Sequence, residues 1–472
     1  MIYLTNQNNM NTNFLKFLRL PVLAIICVLS SQSVVSQTNQ FTHDYSQTLV
    51  MKMLIAVPDD NGGTKVYCDL DKALNLIKQT DNLTLGAPKI IYLVGWQYRG
   101  HDDLYPAFFE VNPALKRPGD ASARESLLWL MEEAKKYNTI VSLHINMTDA
   151  YDDSPLWKEY VDNDMISKNE DGSLRVIGNY NNKKAYQINY HNEWEKGYAQ
   201  MRVDKLLELL PALKEAGTIH IDAWIARESK GHNETIETEK EFQKKVCAYW
   251  RSKGIDITSE WVMDYMLGLV PQYWHFNHQT QEGYLKIPAN ILTGTHMNPD
   301  LKRSDFGLEF IFGTSMYGEN LFPSERTKIT DEQWEALFAR DFYLNFLQYY
   351  YLNRLKRLKV EGELKNRTAY FSNDVRVSLA DSSVYQNTRL LRSGNTLCFP
   401  VLWKNDNSIA AYSEKGAELN YTLPESWNQI GKAEVFFITK NGLIKKEDLK
   451  INDNKLKISI EAGKPLLIVP EK

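Results

Sequence analysis

From residue 45 onward, short apolar runs alternate with stretches of helical periodicity. Val50-Met51-Lys52-Met53-Leu54-Ile55-Ala56-Val57 reads as a strand, residues 71–79 as a helix, and Lys89-Ile90-Ile91-Tyr92-Leu93-Val94-Gly95 as a second strand. Leu127, Leu130, Met131 and Ala134 recur at helical spacing and predict a helix over 122–137, followed by a third strand over 139–145. After a long connection, a helix expected over 193–216 stops at Gly217, as a helix end often does. Thr218-Ile219-His220-Ile221-Asp222 predicts a fourth strand, and Ile255-Asp256-Ile257-Thr258-Ser259-Glu260 a fifth. Between them runs a helix over 235–253, closed by Gly254. Further strands are expected over 289–295 and 307–312, and a long helix over 331–358.

Strands alternating with helices over roughly 300 residues predict an α/β fold, specifically a (β/α)8 TIM-type barrel over residues 45–362. A doubly wound sheet shares the local pattern. The barrel is favoured because polar residues gather at the C-terminal ends of consecutive strands, where a barrel places its active site. The texture then changes. Val375-Arg376-Val377-Ser378-Leu379, Ala433-Glu434-Val435-Phe436-Phe437-Ile438 and Leu456-Lys457-Ile458-Ser459-Ile460 alternate and are separated by turn residues, with Asn441-Gly442 as a hairpin signal. Residues 363–472 are therefore expected to form an antiparallel β-sandwich.

The first residues read differently. A short basic region at 13–19, an apolar run at 20–29 and small residues at 30–36 have the layout of a secretory signal over 1–36, too short to span a bilayer. Ala24-Ile25-Ile26 makes a poor lipoprotein signal before Cys27, so export to the periplasm or beyond as a soluble protein is expected. No later segment is long and apolar enough to span a membrane.

Composition narrows the partners. Lysine plus arginine (55) nearly balances aspartate plus glutamate (59), and without a basic stripe nucleic acid is an unsuitable partner. Cys68, Cys247 and Cys398 remain after the signal, an odd and widely spaced set that argues against a disulfide framework or structural zinc. His275, His278 and His296 lack carboxylate–histidine spacing, so no metal is assigned, and no motif calls for a cofactor. The stripe Phe338, Phe342, Phe346 and Tyr349 has core spacing.

The strand ends carry the candidate chemistry. Asp222 and Glu260 end successive strands, each with a tryptophan close behind, Trp224 and Trp261. Adjacent parallel strands lie roughly 4.8 Å apart, so two such carboxyls can reach the roughly 5 Å separation of a retaining glycosidase. Asp222 would then be the nucleophile and Glu260 the general acid and base. Asp149, Glu228, Asp264 and Glu319 are rivals within reach. Trp274 and Gln279 are candidates for a binding platform.

Five motifs occur in order: Gly95-Trp96-Gln97-Tyr98-Arg99-Gly100-His101-Asp102-Asp103, His144-Ile145-Asn146-Met147-Thr148-Asp149-Ala150-Tyr151, Tyr186-Gln187-Ile188-Asn189, His220-Ile221-Asp222-Ala223-Trp224 and Ser259-Glu260-Trp261. Together they resemble the catalytic barrel of glycoside hydrolase family 101, the endo-α-N-acetylgalactosaminidases, and more distantly family 129. The resemblance implies a retaining hydrolase acting on Gal-β-1,3-GalNAc α-linked to Ser or Thr in mucin-type glycoproteins. It implies Asp222 as nucleophile, Glu260 as acid/base, and sugar contacts from Asp102, His144 and Asn146. Trp96, His101, Asp103, Trp224 and Trp261 stand in the same motifs and join the expected binding set. That family carries a tryptophan-bearing loop over its disaccharide, whereas residues 172–185 here hold no tryptophan, only Tyr180. An exo-acting α-N-acetylgalactosaminidase and a non-catalytic carbohydrate-binding protein of a glycan-uptake system remain the alternatives.

Overall fold

The computed structural model describes residues 41–260, 263–271, 281–292, 295–296, 307–312, 314–316 and 321–471. β1 (Leu49–Leu54) leads through α1 (Leu70–Leu83) to β2 (Lys89–Val94), and α2 (Ala123–Ala134) leads to β3 (Thr139–Asn146). A hairpin of β4 (Val176–Tyr180) and β5 (Lys183–Gln187) interrupts the alternation before α3 (Tyr198–Leu209) and β6 (Thr218–Asp222). α4 (Ile236–Ser252) then leads to β7 (Asp256–Ser259). β1, β2, β3, β6 and β7 pair in that order in one parallel sheet. β8 (Thr295–His296) and β9 (Thr314–Met316) form a separate parallel pair.

Both faces of the parallel sheet are buried, but they differ in chemistry. One carries Met51, Met53, Ile91, Leu93, Val141, Leu143, Ile145, Ile219, Ile221 and Ile257, part of the large apolar core. The other carries Lys52, Tyr92, Ser142, His144, Thr218, His220 and Thr258, all buried. A buried polar group is costly unless bonded, and these are bonded to one another. The Tyr92 hydroxyl lies 2.6 Å from Thr218 Oγ1, Ser142 Oγ donates to the Thr218 carbonyl at 2.5 Å, and His220 Nδ1 lies 2.8 Å from Thr258 Oγ1.

Helix starts follow capping chemistry. Ser122 and Thr235, expected as first helical residues, are N-caps whose hydroxyls accept from Glu125 N and Thr238 N. The helix expected over 193–216 is three: Tyr190–Glu195, α3 and Ala212–Ala216. Gly197, at φ +79°, separates the first two, and Pro211, without an amide proton, precedes the third. The strand expected over 307–312 is a helix, Leu308–Phe312. A short buried apolar run fits either element; here the Phe312 ring stacks on Tyr284 at 4.7 Å. Of the described residues in the strand expected over 289–295, Thr295 alone is in a strand.

The long helix is also shorter than expected. α5 (Asp331–Asp341) starts at a Thr330–Gln333 capping box, passes through a π-helical turn at Phe342–Phe346 and continues as α6 (Leu347–Asn353). Its basic end instead enters the strand Arg357–Glu361, with the buried Arg357 guanidinium donating to the carbonyls of Tyr284 and Leu292. Phe338, Phe342, Phe346 and Tyr349 are buried as their spacing predicts.

From Arg357 onward, ten strands form one antiparallel sheet, beside a two-stranded pair of Ala417–Thr422 and Lys455–Ile460. Asn441-Gly442 joins Lys432–Thr439 to Gly442–Lys450 as a hairpin. This sheet is tied to the parallel half: Trp403 Nε1 donates to Leu85 O at 3.0 Å, and Asn82 Nδ2 to Lys440 O at 2.8 Å. Cys68, Cys247 and Cys398 are buried free thiols. Among the described residues, no helix is long and apolar enough to cross a membrane.

Candidate active site

The register of the parallel sheet brings the strand ends together. His144 pairs with His220, Asn146 with Asp222, and Ser259 with Ile221. Glu260 follows Ser259, its amide donating to Ile221 O at 3.4 Å, so its side chain stands level with Asp222 on the neighbouring strand. The two carboxyls share a hydrogen bond. His144 Nε2 lies 3.4 Å from Asp222 Oδ1, and Lys52 Nζ lies 3.7 Å from Glu260 Oε1.

The electrostatics follow from this packing. Burial pushes the Asp222 carboxyl upward, but His144, the hydrogen bond from Glu260 and the Lys52 charge outweigh it and hold Asp222 well below the usual carboxylate range. Burial pushes His144 down to about 4, so its imidazole is neutral near pH 7. Its ring stacks on His220 at 5.2 Å and meets His101 edge-on at 5.2 Å.

His101 and Asp102 enter on the loop after β2. That loop crosses the chain following β1 so closely that a Cβ at Gly95 would lie 1.9 Å from Ala56 O, and one at Gly100 2.5 Å from Val57 Cα. Both glycines have positive φ, +86° and +136°. Donor atoms of His101, Asp102 and Asp222 lie within 4.8 Å of one another, a cluster able to take the hydroxyls of a sugar ring or a cation. The β4–β5 hairpin fastens this loop. Asn181 Nδ2 donates to His101 O at 3.0 Å and Asp102 O at 3.2 Å from a turn in which Asn181 and Asn182 are both left-handed. Tyr180 stands beside that tip, 44% exposed.

Four residues expected to touch sugar are instead buried supports. The Trp96 ring is fully buried, its indole N–H donating to His144 O at 2.9 Å, and Trp224 is buried behind β6. A ring with no exposed face offers no stacking platform. Asp103 is gripped by Arg99 at 2.8 and 2.6 Å and by Lys183 at 3.1 Å, tying the loop to the hairpin. The Asn146 amide is used by Thr148 N, Asp149 N and Asp149 Oδ2 at 2.7 to 2.8 Å. Trp261, Trp274, His275, His278, Gln279 and Glu319 lie outside the described residues, as do residues 1–40. Of the other rival carboxyls, Glu228 pairs with Lys230 at 3.7 Å.

Two groups at the site were not singled out by their sequence signal. Lys52 is the one lysine within the apolar run of β1, and Asp149 was only a rival. Burial, with the charges of Asp102 and Asp222, pushes the Asp149 carboxyl up to about 8. Its folded value is raised, so its contribution to stability is complete below about pH 4 and lost as pH rises through about 8. Between pH 5 and 8 that loss is on the order of 3 kcal/mol. Asp149→Asn, which mimics the neutral form, is expected to gain stability over wild type at pH 8.5 but not at pH 5. Thermal unfolding at both pH values checks this; an equal difference at both contradicts it.

Residues 60–290 match the family model described as endo-alpha-N-acetylgalactosaminidase. No curated protein sequence matches the chain. Among solved structures, the chain is similar to alpha-N-acetylgalactosaminidase NagBb from Bifidobacterium bifidum in its GalNAc complex, with TM-score 0.52 and 11% identity over 73% of this chain and 58% of that one. The Gal-NHAc-DNJ complex of the same protein aligns with TM-score 0.51 and 11% identity, over 75% of this chain and 58% of that one. The chain thus spans 58% of the length of this relative, and at 11% identity the likeness is one of fold. Over residues 60–290 the chain is thus similar to the endo-alpha-N-acetylgalactosaminidase family.

Proposed function

We propose that the chain is a retaining glycoside hydrolase that cleaves α-linked N-acetylgalactosamine, with Asp222 as nucleophile and Glu260 as acid/base. The observation that carries the proposal is the hydrogen-bonded carboxyl pair in which Asp222 is held charged. A shared hydrogen bond between two carboxyls needs one proton, and in the proposed reaction Glu260 carries it while Asp222 is held charged. Hydrogen-bonding contact supports the close spacing of a retaining pair over the roughly 6.5–9.5 Å of inverting enzymes. Asp222 attacks the anomeric carbon while Glu260 protonates the departing oxygen, giving a glycosyl ester. Glu260, now a carboxylate, takes a proton from water, whose oxygen displaces Asp222. Neutral His144 steadies Asp222, and His101 and Asp102 meet the sugar hydroxyls. Trp261, Trp274 and Gln279 are kept as expected glycan contacts.

The architecture we infer is a (β/α)8 barrel from residue 45, with the antiparallel β-domain starting at the strand Arg357–Glu361 instead of at 363. The contact of β9 with β1 supports closure of the sheet. Residues 1–36 are read as an export signal. For substrate, the resemblance of the five motifs supports Gal-β-1,3-GalNAc on Ser or Thr of mucin-type glycans, in keeping with a family described as endo-alpha-N-acetylgalactosaminidase. A second reading, exo-action on a single GalNAc, is favoured by the hairpin, where Tyr180 is the exposed ring beside the site. The test is incubation with para-nitrophenyl α-glycosides of GalNAc and of Gal-β-1,3-GalNAc. Disaccharide release supports endo-action, and GalNAc released only from the simple glycoside supports exo-action. No release from either moves the chain to the glycan-binding alternative.

A further inference from the structure

We infer that Lys52 is a positioning residue that keeps the Asp222–Glu260 pair at one proton and balances its negative charge as that charge moves between the two carboxyls. The inference rests on the reaction proposed above.

Lys52 lies in Val50-Met51-Lys52-Met53-Leu54, a stretch buried throughout. Its side chain is 2% exposed and points from the polar face of the sheet, with Nζ 3.7 Å from Glu260 Oε1. A buried ammonium is costly without an anion, and removing its partner strands a charge. The nearby imidazoles do not share that charge. Burial and the Lys52 cation push His220 well below its ordinary value, and His144 falls to about 4.

The charge count closes over the whole cycle. Before reaction, Asp222 is a carboxylate, Glu260 is protonated, and Lys52 offsets the single negative charge. When the Asp222 oxygen bonds to the anomeric carbon, the Glu260 proton leaves with the departing oxygen. Asp222 becomes a neutral ester, and the negative charge is now on Glu260, facing Lys52. Water then restores the first state, its proton going to Glu260. The charge shifts by only the span of one carboxyl–carboxyl hydrogen bond, so a fixed cation serves both half-reactions with little reorganisation.

Other titratable groups stand around the pair on the described elements. The loop after β2 brings His101, Asp102 and Tyr105, and β3 with the turn behind it brings His144, Asp149 and Tyr151. The hairpin brings Tyr180, and β6 with its following loop brings His220 and Arg227. The Asp149 carboxyl holds its proton up to about 8 and His144 stays neutral down to about 4. The limbs of a rate profile between those values therefore belong elsewhere in the site.

The test compares wild type, Lys52→Met and Lys52→Arg on para-nitrophenyl α-GalNAc from pH 3.5 to 9. With the cation gone, the basic limb of the kcat/KM profile, which in this reaction reports the Glu260 proton, is expected to move up by at least about one pH unit. kcat should fall by about 10-fold or more with KM little changed, and Lys52→Arg should keep the limbs near wild type. A folded Lys52→Met whose basic limb stays in place overturns the inference. Lys52→Gln replaces Lys52→Met in every arm if the methionine variant does not fold. Absence of turnover in wild type would sink the proposed reaction instead. The pairing is then read from Tm values of Lys52→Met, Glu260→Gln and the double variant. Losses that do not add support the Lys52–Glu260 coupling, and losses that simply add overturn it.

Discussion

Asp222→Asn is expected to lower kcat on an α-GalNAc glycoside by roughly 10³–10⁵-fold while the fold is retained. The amide keeps the shape of the carboxyl and can still accept from His144, 3.4 Å away. It cannot form the glycosyl ester, so the double displacement has no first step. Glu260→Gln should separate the half-reactions. A para-nitrophenyl leaving group needs little protonation, so the intermediate forms and then waits for a base. Both kcat and KM should fall, and added azide, which needs no base, should restore release as the glycosyl azide. On a glycopeptide, whose leaving oxygen does need the proton, the same variant should lose activity at the first step. Steady-state kinetics on both substrates check this. Equal losses on the two substrates, without azide rescue, contradict the assignment of Glu260.

The second large effect is on stability. Arg202, on α3 and fully buried, donates to Glu193 Oε1 at 2.7 Å and to the carbonyl of Asn146 at 2.8 Å. The Tyr160 hydroxyl donates to the same Glu193 oxygen at 2.6 Å, and the Arg202 guanidinium lies 4.7 Å from the Phe108 ring centre. Arg202→Leu leaves the Glu193 charge buried with only a phenol beside it, a type of loss that costs about 3–5 kcal/mol. Asn146 ends β3 in register with Asp222, so the same change loosens the strand end that carries the site. Replacing Glu193 as well, by Gln, should recover part of the loss, because no unpaired charge then remains. Urea unfolding of the single and double variants measures this. A single variant within about 1 kcal/mol of wild type would mean that the network carries little of the stability.

The apolar half of each strand was legible, and so were the strand-end carboxyls. Ile219 and Ile221 mark β6 as a strand, and Asp222 follows directly as its end. The polar half was harder. His220 and Lys52 occupy alternate positions in otherwise apolar runs, a period-two signal visible beforehand but easily read as noise in a run of hydrophobes. Trp96 and Trp224 looked like platforms because a tryptophan next to a polar motif suits a sugar. Only packing shows that their rings face inward. The β4–β5 hairpin was missed because Val176-Ile177-Gly178-Asn179-Tyr180 mixes apolar and turn-forming residues, although Asn181-Asn182 is the kind of pair a two-residue turn favours. The run at 307–312 went to the wrong element because six residues cannot distinguish a buried helical turn from a strand.

The central claim, retaining cleavage of an α-GalNAc bond by Asp222 and Glu260, is tested most directly by proton NMR of the first sugar released from para-nitrophenyl α-GalNAc. The α-anomer of GalNAc, or of the disaccharide from the longer glycoside, is expected first, with the β-anomer growing in only by mutarotation. The β-anomer appearing first, or no release at all, would contradict the account.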